Sequence, residues 1–343
     1  MKIMNVHKIF TAVLFLTFWA GATNWAGAQS AGSFTQMGFS ARGIAMGNAL
    51  VADNFGETSA YYNPGAAPFL AEQHLELTYS ALTFDRNLQF LNFSTPMKPQ
   101  AGLTIGLIHA GVSNFDGRDN SGYHTGTFGI NEYAVFAGFG TRVSEKVGLG
   151  IRFTYHAADY YENVEPAKGL GLSLGMSIKA SPQVRLGFTV DDLIAKNLWD
   201  TGTLYEENGK ETSDAYPTRL RVGAAYQLMQ GKLLLTAESQ TNVAKRTYTS
   251  AAAGLNGGES VDLSETTTLR LAAEQLKLGA EYQLAEPFTL RAGVDRIGQG
   301  ALPSLGFGLK QKFGELRLRL DYAFKLEPYQ TGTMHLLSVR MGL

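Results

Sequence analysis

Residues Glu315 to Leu326, E-L-R-L-R-L-D-Y-A-F-K-L, constrain the chain more than any other stretch. Leu316, Leu318, Leu320, Tyr322, Phe324 and Leu326 fall on one side of an extended backbone, and Glu315, Arg317, Arg319, Asp321 and Lys325 fall on the other, with Ala323 between them. A helix would mix the two sets, whereas the period of two in a strand keeps them apart. In a soluble sheet the apolar face needs a second layer to cover it, and this chain has little helix to offer. An apolar face against lipid and a charged face against an aqueous lumen account for the pattern without that layer.

The alternation recurs. Leu75, Leu77, Tyr79 and Ala81 oppose Glu76, Thr78 and Ser80; Val147, Leu149, Ile151, Phe153 and Tyr155 oppose Gly148, Gly150, Arg152, Thr154 and His156. Leu170 to Ile178, Val184 to Val190, Leu220 to Tyr226 and Leu276 to Tyr282 repeat it. Further strands are expected at Ala101 to Val112, Asn131 to Arg142, Lys232 to Gln240, Phe288 to Asp295, Ser304 to Phe313 and Met334 to Leu343. Arg86 to Thr95 also reads as a strand, but its pattern assigns no facing. The total is about fourteen strands, most near the ~9–11 residues that a tilted strand needs to cross a bilayer.

The connections alternate in length. Short ones fall at Pro96 to Gln100, Val143 to Glu145, Ala180 to Pro182, Met229 to Gly231, Ala285 to Pro287 and Gly314. Long polar ones fall at Ser113 to Ile130, Leu193 to Ala215 and Thr241 to Ala273. An outer-membrane barrel has short periplasmic turns and longer external loops. A soluble sandwich has no reason to sort its loops in this way. Tyr226, Tyr282, Phe288 and Phe313 lie towards the short turns, where an interfacial girdle or simple strand preference would place aromatics. The expected fold class is therefore all-β: a transmembrane antiparallel barrel of about fourteen strands in the outer membrane of a Gram-negative bacterium, with membrane lipid as its surroundings.

Composition removes several function classes. The 343 residues carry 29 Lys and Arg against 30 Asp and Glu, which gives no electrostatic reason to expect a nucleic-acid partner. With no cysteine, disulfides, thiolate metal sites and a cysteine nucleophile are excluded. His74, His109, His124, His156 and His335 are dispersed without metal-binding spacing, and His335 and Ser338 point oppositely on a strand. Asp116 to Gly122 has Arg118 at a ligand place of a calcium loop and Ser121 at its turn-glycine place. No enzyme, metal or cofactor is expected. Lys2, Lys8, the apolar run Ile9 to Ala20 and Ala26-Gly27-Ala28 read as a signal peptide over residues 1–28.

Residues 29–71 differ from the 72–343 barrel region. Ser40 to Ala49 is rich in small residues and does not alternate, and Tyr61 to Pro68 is turn punctuation. A barrel of about fourteen strands leaves a lumen that its own side chains do not close. The segment is expected to form a hatch or plug, with lumen-facing glycines leaving room for it. Ala41-Arg42-Gly43, Met46-Gly47, Val51-Ala52-Asp53 and Ser59-Ala60-Tyr61-Tyr62-Asn63-Pro64 resemble the N-terminal signature of the FadL superfamily, in particular its PorV/PorQ branch. The chain has Asn63-Pro64-Gly65-Ala66 where that family more often reads Asn-Pro-Ala-Gly.

The resemblance implies a fourteen-stranded barrel behind the signature and one of two non-enzymatic roles. PorV-type members handle secreted protein cargo with components of type IX secretion, and this is the reading the motif favours. FadL-type members pass hydrophobic ligands. Arg42, Asp53, Asn63 and Pro64 map onto the hatch signature, Arg42 seeking a lumen carboxylate and Asn63-Pro64 fixing the turn. Trp199, Leu198 and Leu204 in a long outer loop are candidate contacts for a hydrophobic ligand or protein partner. Gly102, Gly106 and Gly111 would either weaken the third strand towards a lateral gap or give room to the plug.

Overall fold

The computed structural model describes residues 32–55, 60–161, 164–200, 202, 211–248, 266–271, 275–297, 300–327 and 332–342. The expected signal peptide lies outside them. Seventeen strands make one antiparallel sheet: β1 (His74–Ala81), β2 (Arg86–Met97), β3 (Ala101–Arg118), β4 (His124–Arg142), β5 (Val147–Asp159), β6 (Ala167–Lys179), β7 (Val184–Asp191), β8 (Lys196–Asp200), β9 (Glu211–Ala215), β10 (Thr218–Leu228), β11 (Leu233–Tyr248), β12 (Thr266–Leu271), β13 (Gln275–Gln283), β14 (Phe288–Ile297), β15 (Leu302–Phe313), β16 (Leu316–Leu326) and β17 (Thr333–Gly342). Strands β12 and β13 lie end to end along β11, pairing with its Val243–Tyr248 and Leu233–Gln240 parts, so they act as one wall strand. Strands β8 and β9 form a hairpin outside the wall circuit, joined to β6 by the Lys168–Leu198 pairing. The wall thus has fourteen strands, and β1 closes it by pairing with both β2 and β17.

The facing is that of a protein turned inside out. On β16, Arg319, Asp321 and Lys325 are buried in the bore, while Leu320 and Leu326 are about two-fifths exposed on the exterior. On β5, Arg152, Thr154 and His156 face inward and Leu149, Ile151, Phe153 and Tyr155 face outward. Closure leaves no edge, so the backbone groups that lipid cannot hydrogen-bond are satisfied within the sheet. Tyr282, Phe288 and Phe313 are exposed beside the short-turn end of the wall.

The short connections fall where the alternation ends: residues 98–100, 143–146, 180–183, 229–232, 284–287 and 314–315. The long ones differ from the sequence expectation. Ser113 to Ile130 is mostly not loop, because β3 runs on to Arg118 and β4 begins at His124 as a paired arm, with a bulge between Val112 and Phe115. Leu193 to Ala215 contains the β8–β9 hairpin, and β11 runs on to Tyr248. Beyond the bilayer a strand has no need of an apolar face, so pairing continues after the sequence signal stops.

Residues 32–55 and 60–70 lie inside the wall against its inward-facing side chains. A 3-10 turn, Ser33–Gln36, leads to a five-residue helix α1, Ala41–Ala45, capped by Ser40, whose Oγ accepts from Gly43 N at 3.0 Å. A second 3-10 segment, Pro64–Phe69, follows Asn63 and sits towards the short-turn end, where Gly102, Gly140, Gly148 and Gly150 admit its backbone. At Gly102, therefore, the missing side chain gives room to Ala67. Strand β3 pairs without interruption with β2 and β4 over Ala101–Val112, so its glycines open no gap.

Candidate functional site

A coil segment threaded through a barrel carries backbone groups that water cannot reach, and each needs a partner. The wall supplies them. Arg221 donates to the Tyr62 carbonyl at 2.7 Å, Arg219 to the Thr35 carbonyl at 3.2 Å, and Arg152 to the Tyr61 carbonyl. In the other sense, Ala41 N donates to Ser338 Oγ at 2.8 Å and Val51 N to Glu238 Oε2 at 3.0 Å. Inward-facing polar residues, chosen by strand parity, thus complete the hydrogen bonding of a segment with little secondary structure of its own.

Two groups of charged side chains line the bore around the inner segment. In the first, Arg42 of α1 contacts Asp53 at 2.5 Å and Glu281 of β13 at 2.9 Å, and Glu281 is also met by Arg291 at 2.6 Å and Arg319 at 3.5 Å. Asp321 closes this group against Arg291 and Arg319, both at 2.9 Å. In the second, Arg152 and Arg221 share Asp191 at 2.9 and 2.8 Å, Arg219 meets Asp192 at 2.6 Å, and Lys277 meets Glu238 at 3.0 Å. Buried ion pairs of this kind add little net stability over apolar packing, but losing one partner strands the other. Their effect here is to fix where the inner segment sits.

Arg42 and Asp53 are therefore brought together, and Arg42 meets a lumen carboxylate. Asn63 holds the chain in another way. Its Oδ1 accepts from Gly65 N at 2.9 Å, and its Nδ2 donates to the Val51 carbonyl at 2.7 Å and the Met176 carbonyl of β6 at 3.0 Å. Pro64 occupies the first position of the 3-10 segment, where its missing N–H is no loss.

The outer residues are not brought together. Trp199 stacks on Tyr160 with ring centroids 4.6 Å apart, Leu198 points to the opposite face of β8 and is 41% exposed, and Leu204 lies outside the described residues. Close by, His156 packs on Tyr216 at 4.3 Å, and Tyr216 donates to Asn197 Oδ1 at 3.2 Å.

Parity alone did not reveal the apolar sector of the bore. Leu88 and Phe90 of β2, Ile108 of β3, Ala134 and Phe136 of β4, and Met334 and Leu336 of β17 all face inward and are buried. These strands adjoin through β1. Phe34, Phe39, Ile44 and Tyr61 of the inner segment pack on them, with Tyr61 4.7 Å from Phe136 and Phe39 5.8 Å from Phe90. The bore thus has an apolar side on β2–β4 and β17 and a charged side running from β5 to β16. Among the described residues no three His, Asp or Glu side chains are placed to hold a metal ion.

No protein-family model matches the sequence, and no curated protein does so at a significant level. Solved structures do match by fold. The toluene transporter TbuX of Ralstonia pickettii superposes with a TM-score of 0.56 at 14% identity, over 90% of this chain and 98% of that one. The toluene transporter TodX of Pseudomonas putida gives 0.56 at 13% identity, over 89% and 96%. A FadL homologue of Pseudomonas aeruginosa gives 0.52 at 13% identity, over 89% and 98%. At such identities the likeness is one of fold: a FadL-like outer-membrane barrel of fourteen strands. The chain is accordingly an integral protein of the outer membrane of a Gram-negative bacterium.

Proposed function

We propose that the protein is a FadL-like conduit that admits hydrophobic small molecules through the outer membrane, with residues 29–71 as its plug. The observation that carries this is the inward-facing apolar sector Leu88, Phe90, Ile108, Phe136 and Leu336. Phe39 and Tyr61 of the plug cover that sector, so a solute that passes the plug takes their place against it. The toluene transporters TbuX and TodX, which share the fold, are named for a solute of this class. The PorV/PorQ reading, a shuttle for secreted protein cargo in a type IX-like system, rests on the Arg42 to Pro64 motif alone; neither TbuX, TodX nor the FadL homologue is a secretion protein by name. As a conduit of the outer membrane, the chain uses residues 1–28 to direct export, after which they are removed.

The test is uptake of labelled toluene by cells lacking or carrying the gene, together with a Phe90→Gln variant that sets an amide into the apolar sector. Faster uptake with the wild-type chain and a several-fold loss with Phe90→Gln, at equal barrel yield in the membrane, is the expected result. Equal uptake in all three strains, with secretion components recovered by crosslinking, would remove the conduit and restore the shuttle.

A further inference from the structure

Among the described residues, the second charged group is not neutral. Arg152, Arg219, Arg221 and Lys277 are four cations, and the carboxylates that meet them, Asp191, Asp192 and Glu238, are three. In the first group Arg42, Arg291 and Arg319 are each paired, with Asp53, Glu281 and Asp321, and the buried Glu76 faces the same cluster. Lys325 and Asp295 cancel, at 2.6 Å. One surplus positive charge is therefore buried among side chains that are all less than a tenth exposed. An uncompensated charge in such a place is strongly unfavourable unless a counter-charge accompanies it.

The surplus lies beside a cavity. Arg152, Arg219, Arg221 and Lys277 line one side of it, and Tyr61 and Asn48 belong to the other, so it sits between the wall and the inner segment. Its volume is about 30 Å³. That is room for one or two water-sized particles, and far less than the ~150 Å³ in which a benzene ring fits. An aromatic ring is too large for that space, and a small ion is not. Arg152 Nε, on a side chain 2% exposed, has no hydrogen-bond partner among the described residues.

We infer that this cavity is a binding site for a small inorganic monoanion of halide size. The ion neutralises the surplus cation, accepts from the cations that line the cavity, and joins β5, β10 and β13 to the segment carrying Tyr61. The site is separate from the apolar sector, and it stands whether or not the barrel conducts hydrophobic solutes.

Bromide is the probe. Crystals of the full barrel grown in bromide are expected to show an anomalous peak within hydrogen-bond reach of Arg152 and Lys277. In detergent, the wild-type Tm is expected to climb with chloride against gluconate at constant ionic strength, because only an ion that fits stabilises the folded state by mass action. Lys277→Met, which removes the surplus, is expected to lose both the peak and the chloride response; Lys277→Gln serves if that variant does not fold. Bromide found only on the protein surface, an adventitious ion only, overturns the inference. So does a Tm equal in the two salts, or a peak undiminished in the Lys277 variant.

Discussion

Arg42 and Glu281 are joined by two parallel hydrogen bonds, Nε to Oε2 at 2.9 Å and Nη2 to Oε1 at 3.1 Å, across 239 residues of sequence. The fork leaves Nη1 for Asp53 at 2.5 Å, so one guanidinium ties α1 to the wall and to the turn that follows it. Glu281 keeps Arg291 and Arg319 if Arg42 is removed, whereas Asp53, whose side chain has no exposure, loses its cation. Arg42→Ala is expected to cost about 3 kcal/mol. Arg42→Lys should cost less, keeping the charge but not the fork. Urea unfolding in vesicles gives the two values, and amide exchange shows whether residues 41–55 loosen first. Unchanged exchange there would refute the tether.

Asn63 uses every polar atom of its side chain, as acceptor to Gly65 N and as donor to the Val51 and Met176 carbonyls. Asp keeps the cap but turns a donor pair into a carboxylate facing two carbonyl oxygens. Asn63→Asp is therefore expected to be at least as damaging as Asn63→Ala, for which loss of a cap alone costs about 1 kcal/mol. Asn63→Ser, which caps without repulsion, should be the mildest of the three. Urea unfolding of the three variants in vesicles ranks them. If Asp proved the mildest, the donor role of Nδ2 would be wrong.

Gly47 has a φ of +61°, and a Cβ built there would lie 2.5 Å from the Leu278 carbonyl oxygen and 2.7 Å from that of Val294. Both obstacles are wall backbone and cannot swing aside. Gly47→Ala combines a left-handed conformation, worth about 1–2 kcal/mol, with overpacking of about 1–3 kcal/mol. A drop of several degrees in Tm is expected. As a contrast, Gly300, which has open space around it but also a positive φ of +86°, should show only the smaller, conformational part.

The wall was legible because strand parity was enforced by two solvents. Where lipid met one face and charged groups the other, as from Leu316 to Leu326, each residue type announced its side. Arg86 to Thr95 announced none, and the structure shows why: Leu88 and Phe90 face the inner segment while Leu91 and Phe93 face outward, so both faces are apolar. The failure of alternation was itself the mark of the apolar sector. The partners of Arg42 could not be read in the same way, because Glu281 is one of many lumen carboxylates and only the closure of the barrel brings it to α1. Likewise Leu198 and Trp199 are neighbours in sequence, yet β8 turns them to opposite faces.

Leu320 and Asp321 are adjacent on β16, the first 37% exposed on the outer face and the second 4% exposed in the bore, where it meets Arg291 and Arg319. The sidedness of the wall reduces to this one-residue difference in facing. An arginine on the lipid face near the bilayer centre costs about 2–4 kcal/mol, so Leu320→Arg should lower stability in vesicles by that amount and should recover much of it in a detergent micelle. Asp321→Leu acts by another route. It takes a shared carboxylate away from Arg291 and Arg319, a loss of about 3 kcal/mol that a change from bilayer to micelle does not relieve. Folding both variants into vesicles and into micelles separates the two causes. Equal losses for Leu320→Arg in the two media would place Leu320 away from lipid and reverse the facing of the entire strand.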